Sequence, residues 1–164
     1  MRRFATVCAA AVLLTGSACT AAEDGHPTMA STVTFADQWA SSAKSGMAAV
    51  FGTFTNTGHH DAHVVGADSP AAGRVEIHEV VTDGGGTSMR PKHGGIVIPA
   101  GGVHELVPGG DHLMLMELRE PLLPGADISV TVRFEDGSTL PVTAQARDFA
   151  GGNESYHPDA HGHG

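Results

Sequence analysis

The sequence predicts an all-β domain, a sandwich or barrel, and three observations carry that expectation. From about Ser31 the chain breaks into short β-branched runs: "STVTFADQW", "GMAAVFGTFTNTG", "DAHVVGADSP", "GRVEIHEVV", "GIVIPAGG", "VHELVPGG", "HLMLMEL", "DISVTVRFEDG" and "STLPVTAQA". Gly, Pro, Asn and Asp punctuate these runs at the intervals of antiparallel β folds. No window sustains apolar residues at helical spacing, and "SPAAGR" is interrupted by Pro70 and Gly73, which disfavours a helical domain.

The turns have local causes. "PAGG" at Pro99–Gly102 and "PGG" at Pro108–Gly110 join a fixed φ to residues that accept positive φ, and Asp136-Gly137 offers a tight hairpin. At 164 residues the chain suits one domain with a sizeable core. We place that domain at residues 31–149, after a signal peptide (1–21) and a short leader (22–30), and before a flexible His-rich tail (150–164).

The N-terminus carries Arg2 and Arg3, an apolar run from Phe4 to Leu14, and then small residues, the three-part pattern of a secretory signal. A run of about a dozen apolar residues is well short of the ~20 that span a bilayer. "LLTGSAC" resembles a bacterial lipobox, which makes Cys19 a candidate for lipidation and membrane anchoring, although Gly16 stands where leucine is usual. The alternative is plain cleavage near Ala21 or Ala22.

Cys8 and Cys19 both fall in this segment, so the β domain has neither disulfide nor thiolate chemistry. Cleavage before Cys19 removes Arg2 and Arg3, leaving seven Lys and Arg against eighteen Asp and Glu, a net charge of −11. Such an acidic exported domain is a poor partner for nucleic acid. Against this background the eleven histidines are the feature to explain.

In "HLMLMEL" the strand period places His112, Met114 and Met116 on one face and Leu113 and Leu115 on the other. In "RVEIHEVV", burial of Val75 and Ile77 turns His78 outward or toward a sheet edge, and Met89 returns across the glycine turn. Two imidazoles and two thioethers form a soft, uncharged donor set, which among biological metals favours Cu(I). Outside the cytoplasm, thioethers also avoid the oxidation to which paired thiols are prone. Each residue alone has an ordinary structural explanation, such as methionine as core filler; the four together are harder to explain that way.

"VEIHEVVTDGGGTSMRP" followed by "IPAGGVHELVPGGDHLMLMEL" resembles the periplasmic copper chaperones of the PCu(A)C type. That family's motif is a histidine, ten residues, a methionine, about twenty-one residues, then His-x-Met. His78 and Met89 keep the ten, His112-Leu113-Met114 keeps the ending, and residues 90 to 111 number 22, one more than usual. The extra residue falls in the loop "KHGG", where an insertion should shift neither ligand. Further similarity in "FTNTG", "PLLPGADISVTVRFEDG" and "VTAQAR" extends the resemblance over roughly Val33 to Arg147.

The resemblance implies a cupredoxin-like antiparallel β-sandwich or barrel with a solvent-near Cu(I) centre of His78, Met89, His112 and Met114. Met116 lies outside that primary set, as packing or a reserve donor. The implied role is a monomeric copper chaperone, not an enzyme. It would deliver to the Cu(A) centre of cytochrome c oxidase, directly or through a Sco-type protein. Some such proteins carry metal-binding C-terminal extensions; here His157, His161 and His163 form a candidate secondary Cu(II) site.

Rival readings are constrained by the same residues. A blue-copper electron carrier needs a cysteine thiolate, and the domain has no cysteine. No His-x-His occurs in the β domain to suggest a copper enzyme of the superoxide dismutase kind. Copper sequestration for resistance requires the same ligands as delivery, and a metal-free envelope β-sandwich lipoprotein would make the histidines bystanders.

Overall fold

The computed structural model describes residues 27–84, 86–150 and 155–156. In chain order the elements are α1 (Met29–Thr32), β1 (Val33–Ser41), β2 (Met47–Asn56), β3 (Ala62–Asp68), β4 (Ala72–Asp83), β5 (Gly86–Pro91), β6 (Ile96–Ile98), β7 (Val103–Leu106), β8 (His112–Leu118), β9 (Asp127–Phe134), β10 (Thr139–Arg147) and β11 (Ser155–Tyr156). Seven strands close into a barrel in the order β4-β8-β2-β1-β10-β9-β3, with β3 returning to β4 through Ala67 and Val75. The expected all-β cupredoxin-like barrel is therefore present. It is mixed, because β1 and β10 pair in parallel.

Strand patterning shows what each strand faces. In β9, Ile128, Val130, Val132 and Phe134 enter the core while Asp127, Ser129 and Arg133 face outward, the alternation of a strand with one buried face. In β8, Leu113 and Leu115 enter the barrel core, but His112, Met114 and Met116 on the opposite face are buried too. The barrel's outer surface is therefore covered at β8.

One bulge reassigns a prominent side chain. Between Ala36 and Trp39 the β1–β2 register shifts, with Asp37 at φ 53. An extra residue reverses the facing of those that follow. Val33 and Phe35 point inward before it and Ala40 after it, so Trp39 stands outside, its ring 4.6 Å from that of Phe51. The turn after β2 is held by the buried Asn56, whose Nδ2 donates to the His60 carbonyl at 2.8 Å and whose Oδ1 accepts from the Gly58 amide at 2.8 Å.

Within 150–164, read from sequence as a flexible tail, Ser155–Tyr156 form β11, parallel to Ser88–Met89. The edge of β5 presents backbone donors and acceptors that any extended segment can use, which composition alone does not reveal. The signal peptide, Cys19, His157, His161 and His163 lie outside the described residues.

Candidate metal centre

Register brings the four sequence-predicted donors onto one face. β4 and β8 pair so that His78 sits directly opposite His112 and Glu76 opposite Met114. On the other side of β4, Val80 pairs with Met89 of β5. Directly paired residues share a face, and alternate residues along a strand share it too. His78, His112, Met114 and Met89 thus gather on the outside of the barrel, where Met89, Met114 and Met116 form an apolar cluster separate from the barrel core.

The rings of His78 and His112 are 5.6 Å apart, centroid to centroid, at 68°. With a metal–imidazole distance of ~2.0–2.1 Å, as for zinc, an ion lies about 3 Å from each ring centre. Two rings that share an ion therefore have centroids at most about 6 Å apart, and this pair meets that condition.

Hydrogen bonds orient both imidazoles. His112 Nδ1 donates to the Gly110 carbonyl at 3.0 Å. A carbonyl can only accept, so the proton is on Nδ1 and the lone pair on Nε2. His78 Nε2 lies 2.7 Å from Glu76 Oε2; a carboxylate likewise only accepts, so the proton is on Nε2, which donates, and the lone pair is on Nδ1. Each ring is anchored through one nitrogen and carries its lone pair on the other, the arrangement found in metal-binding histidines.

Glu76 is in turn held by Arg74, whose Nε donates at 2.7 Å, and Arg74 also bonds Glu117. Burial pushes the Glu76 carboxyl up, but the hydrogen bonds from Arg74 and His78 outweigh it and hold the group below the usual carboxylate range. Farther along, Arg90 bonds Glu79 at 3.0 Å, and Lys92 bridges Glu79 at 3.3 Å and Asp111 at 3.2 Å. The Arg90 bond is the main reason that Glu79 is also held below its ordinary range. Glu76 acts on the site without appearing in the histidine–methionine pattern; its signal was its place two residues before His78 on the same strand face.

Two features differ from the sequence expectation. His78 does face away from the core, yet its exposure is 0%. The centre is also not solvent-near: His112 is 4% exposed, Met114 5% and Met89 8%. Phe149 explains part of this cover, packing on Trp39 at 5.2 Å and Phe51 at 6.0 Å, while Phe51 stands 5.9 Å from His112. On the other side of β4, β11 pairs with β5 beside Met89.

His104 pairs with Asp111 at 3.0 Å, and His63 lies 3.5 Å from Glu135. Among the described residues, no three His, Cys, Asp or Glu side chains gather as a metal group. The donors that do converge are the mixed imidazole and thioether set.

The fold of this barrel is that of the PCuAC domains. The copper-bound PCuAC domain from PmoF2 has a TM-score of 0.61 at 16% identity, covering 76% of this chain and 100% of that one, a likeness of fold. Apo-DR1885 from Deinococcus radiodurans is 27% identical with a TM-score of 0.57, covering 91% of this chain and 99% of its own. CuI-DR1885 is 31% identical with a TM-score of 0.53, covering 71% and 80%.

Residues 33–146 match the family described as "Putative lipoprotein LpqE-like". "Putative lipoprotein Lxx21020" of Leifsonia xyli subsp. xyli (strain CTCB07) is 51% identical over 118 residues, 72% of this chain and 71% of that protein. The chain belongs to the LpqE-like family.

Proposed function

We propose that this protein is an extracytoplasmic copper chaperone that binds Cu(I) through His78, Met89, His112 and Met114 and releases it to a partner protein. The observation that carries the proposal is the convergence of His78, opposite His112, with the thioethers of Met89 and Met114 on one buried face. Neutral imidazoles and thioethers suit Cu(I) without any ligand losing a proton, and uncharged sulfur donors exchange readily. The Cu(I) form of DR1885, a relative of this chain, supports the same choice of ion and oxidation state. A lipoprotein family supports export, with Cys19 as the anchor. The recipient in this reading is the Cu(A) subunit of cytochrome c oxidase or a Sco-type protein, and the protein itself catalyses no reaction.

The test is anaerobic competition for Cu(I) against a chromogenic chelator, with wild type beside Met89→Leu. One tightly held equivalent that weakens at least about tenfold in the variant is expected. Weak binding indifferent to Met89 would return the protein to the metal-free envelope reading.

Burial of the donors favours a second reading, sequestration, because enclosed ligands slow release. Mixing the copper-loaded protein with a copper-free soluble Cu(A) domain separates the two. Transfer within minutes supports delivery, and retention of the ion supports sequestration.

A further inference from the structure

Buried donors need a path by which the ion reaches them. We infer that Met47 and Met116 form an outer Cu(I) station through which the ion passes to and from the primary donors. This inference rests on the copper reading above.

Met116 is 5% exposed and belongs to the same cluster as Met89 and Met114. It follows Met114 by two residues on β8, so the two share a face. Directly opposite Met116 across the β2–β8 ladder is Met47, and opposite Met114 is Ala49. Met47 is 37% exposed. Directly opposed residues have Cβ atoms about 4.5–5.5 Å apart, and methionine has three flexible torsions, so both sulfurs can reach one ion. Met47, Met116 and Met114 therefore make a row of thioethers that runs from solvent to the primary site.

The ordinary explanation for such residues is packing, and the barrel interior argues against it. The main core is built from Val, Ile, Leu, Phe and Ala, and no buried methionine occurs in it among the described residues. The buried methionines among the described residues, Met89, Met114 and Met116, all lie in the outer cluster. If methionine served here as general filler, its concentration beside two buried histidines would have no reason.

The local charge also permits a cation. Arg74 faces Met116 from β4, but its guanidinium is bonded to Glu76 and Glu117, which compensates its charge. Transfer along the row needs no electron or proton: as Cu(I) gains a bond to Met114 sulfur it loses one to Met47, and Met116 holds it in between.

The experiment is an anaerobic Cu(I) titration of the protein carrying 13C-methyl methionine, followed by methyl NMR, with stopped-flow loading rates measured in parallel. The first equivalent should shift Met89 and Met114, and the second should shift Met47 and Met116. Met116→Leu should lose the second set of shifts. Both Met116→Leu and Met47→Leu should load about tenfold more slowly. These near-isosteric changes cost little in folding, and Met47 is partly exposed, so at least one variant reports on copper.

Met47 and Met116 methyls unmoved through two equivalents, with unchanged loading rates, would overturn the outer station and leave the primary site standing. Met89 and Met114 unmoved at the first equivalent would overturn the primary site, and the station with it.

Discussion

Replacing Glu76 with glutamine tests whether the carboxylate behind His78 belongs to the metal centre or only to the fold. The bond from His78 Nε2 at 2.7 Å is charge-assisted; glutamine keeps an acceptor oxygen and the shape but removes the charge. Bonds to charged groups contribute about 1.5–3 kcal/mol against about 0.5–1.5 for neutral ones, so apo stability should fall by about 1 kcal/mol. The pairing of Glu76 with the half-exposed Arg74 adds little, as solvent-screened pairs do.

Affinity obeys a different rule, because the bond is present before and after the ion arrives and only its strengthening counts. An ion on Nδ1 draws electron density from the ring and makes Nε2–H a better donor, which a carboxylate exploits more than an amide does. Loss of such an outer partner typically weakens metal binding about 10–100-fold. We expect about tenfold for Glu76→Gln and more for Glu76→Ala, which also leaves the tautomer unspecified. Chelator competition reads the affinity, and urea unfolding of the apo-protein reads stability separately. Affinities within twofold of wild type in both folded variants would refute the role assigned to Glu76.

Two further predictions concern the scaffold. Gly95, in the loop that carries the extra motif residue, has φ +72, and a Cβ there would lie 2.1 Å from the Val64 carbonyl oxygen; Gly94 has φ +88 with nothing within 4 Å. Gly95→Ala should therefore cost about 3 kcal/mol or more and Gly94→Ala only about 1, measured as urea midpoints, and equal midpoints would contradict the packing argument. Acid should also weaken the fold. Glu76 and Glu79 are held below their ordinary range, as is Asp136, where burial opposes and the Ser138 bonds and the Met29 amide prevail. Depressed carboxylates contribute stability that is fully present above their unfolded values of about 3.9–4.3 and lost as pH falls through the folded values. The apo midpoint should be level from about pH 7 to 5 and decline below about pH 4; a midpoint independent of pH down to 3 would count against these pairings.

Much of the centre is legible in the chain because it is written in short-range rules. Alternation in "HLMLMEL" assigns His112, Met114 and Met116 to one face, and the glycines after Asp83 return Met89 to the neighbourhood of His78, since side-chain facing and tight turns depend only on adjacent residues. The same locality explains why nearly every β run became a strand. What the chain by itself could not decide depends on pairing between distant segments. His78 opposite His112 is a register set by closure of the barrel. The bulge at Asp37 places Trp39 outside beside Phe51, whereas alternation continued from Phe35 would have turned it inward. Burial of the donors, expected at the surface, owes part to Phe149, which returns to pack on Trp39 and on the Phe51 that stands beside His112. Composition and period specify which residues share a face; only the tertiary structure decides what lies over that face, because cover is supplied by segments remote in the sequence.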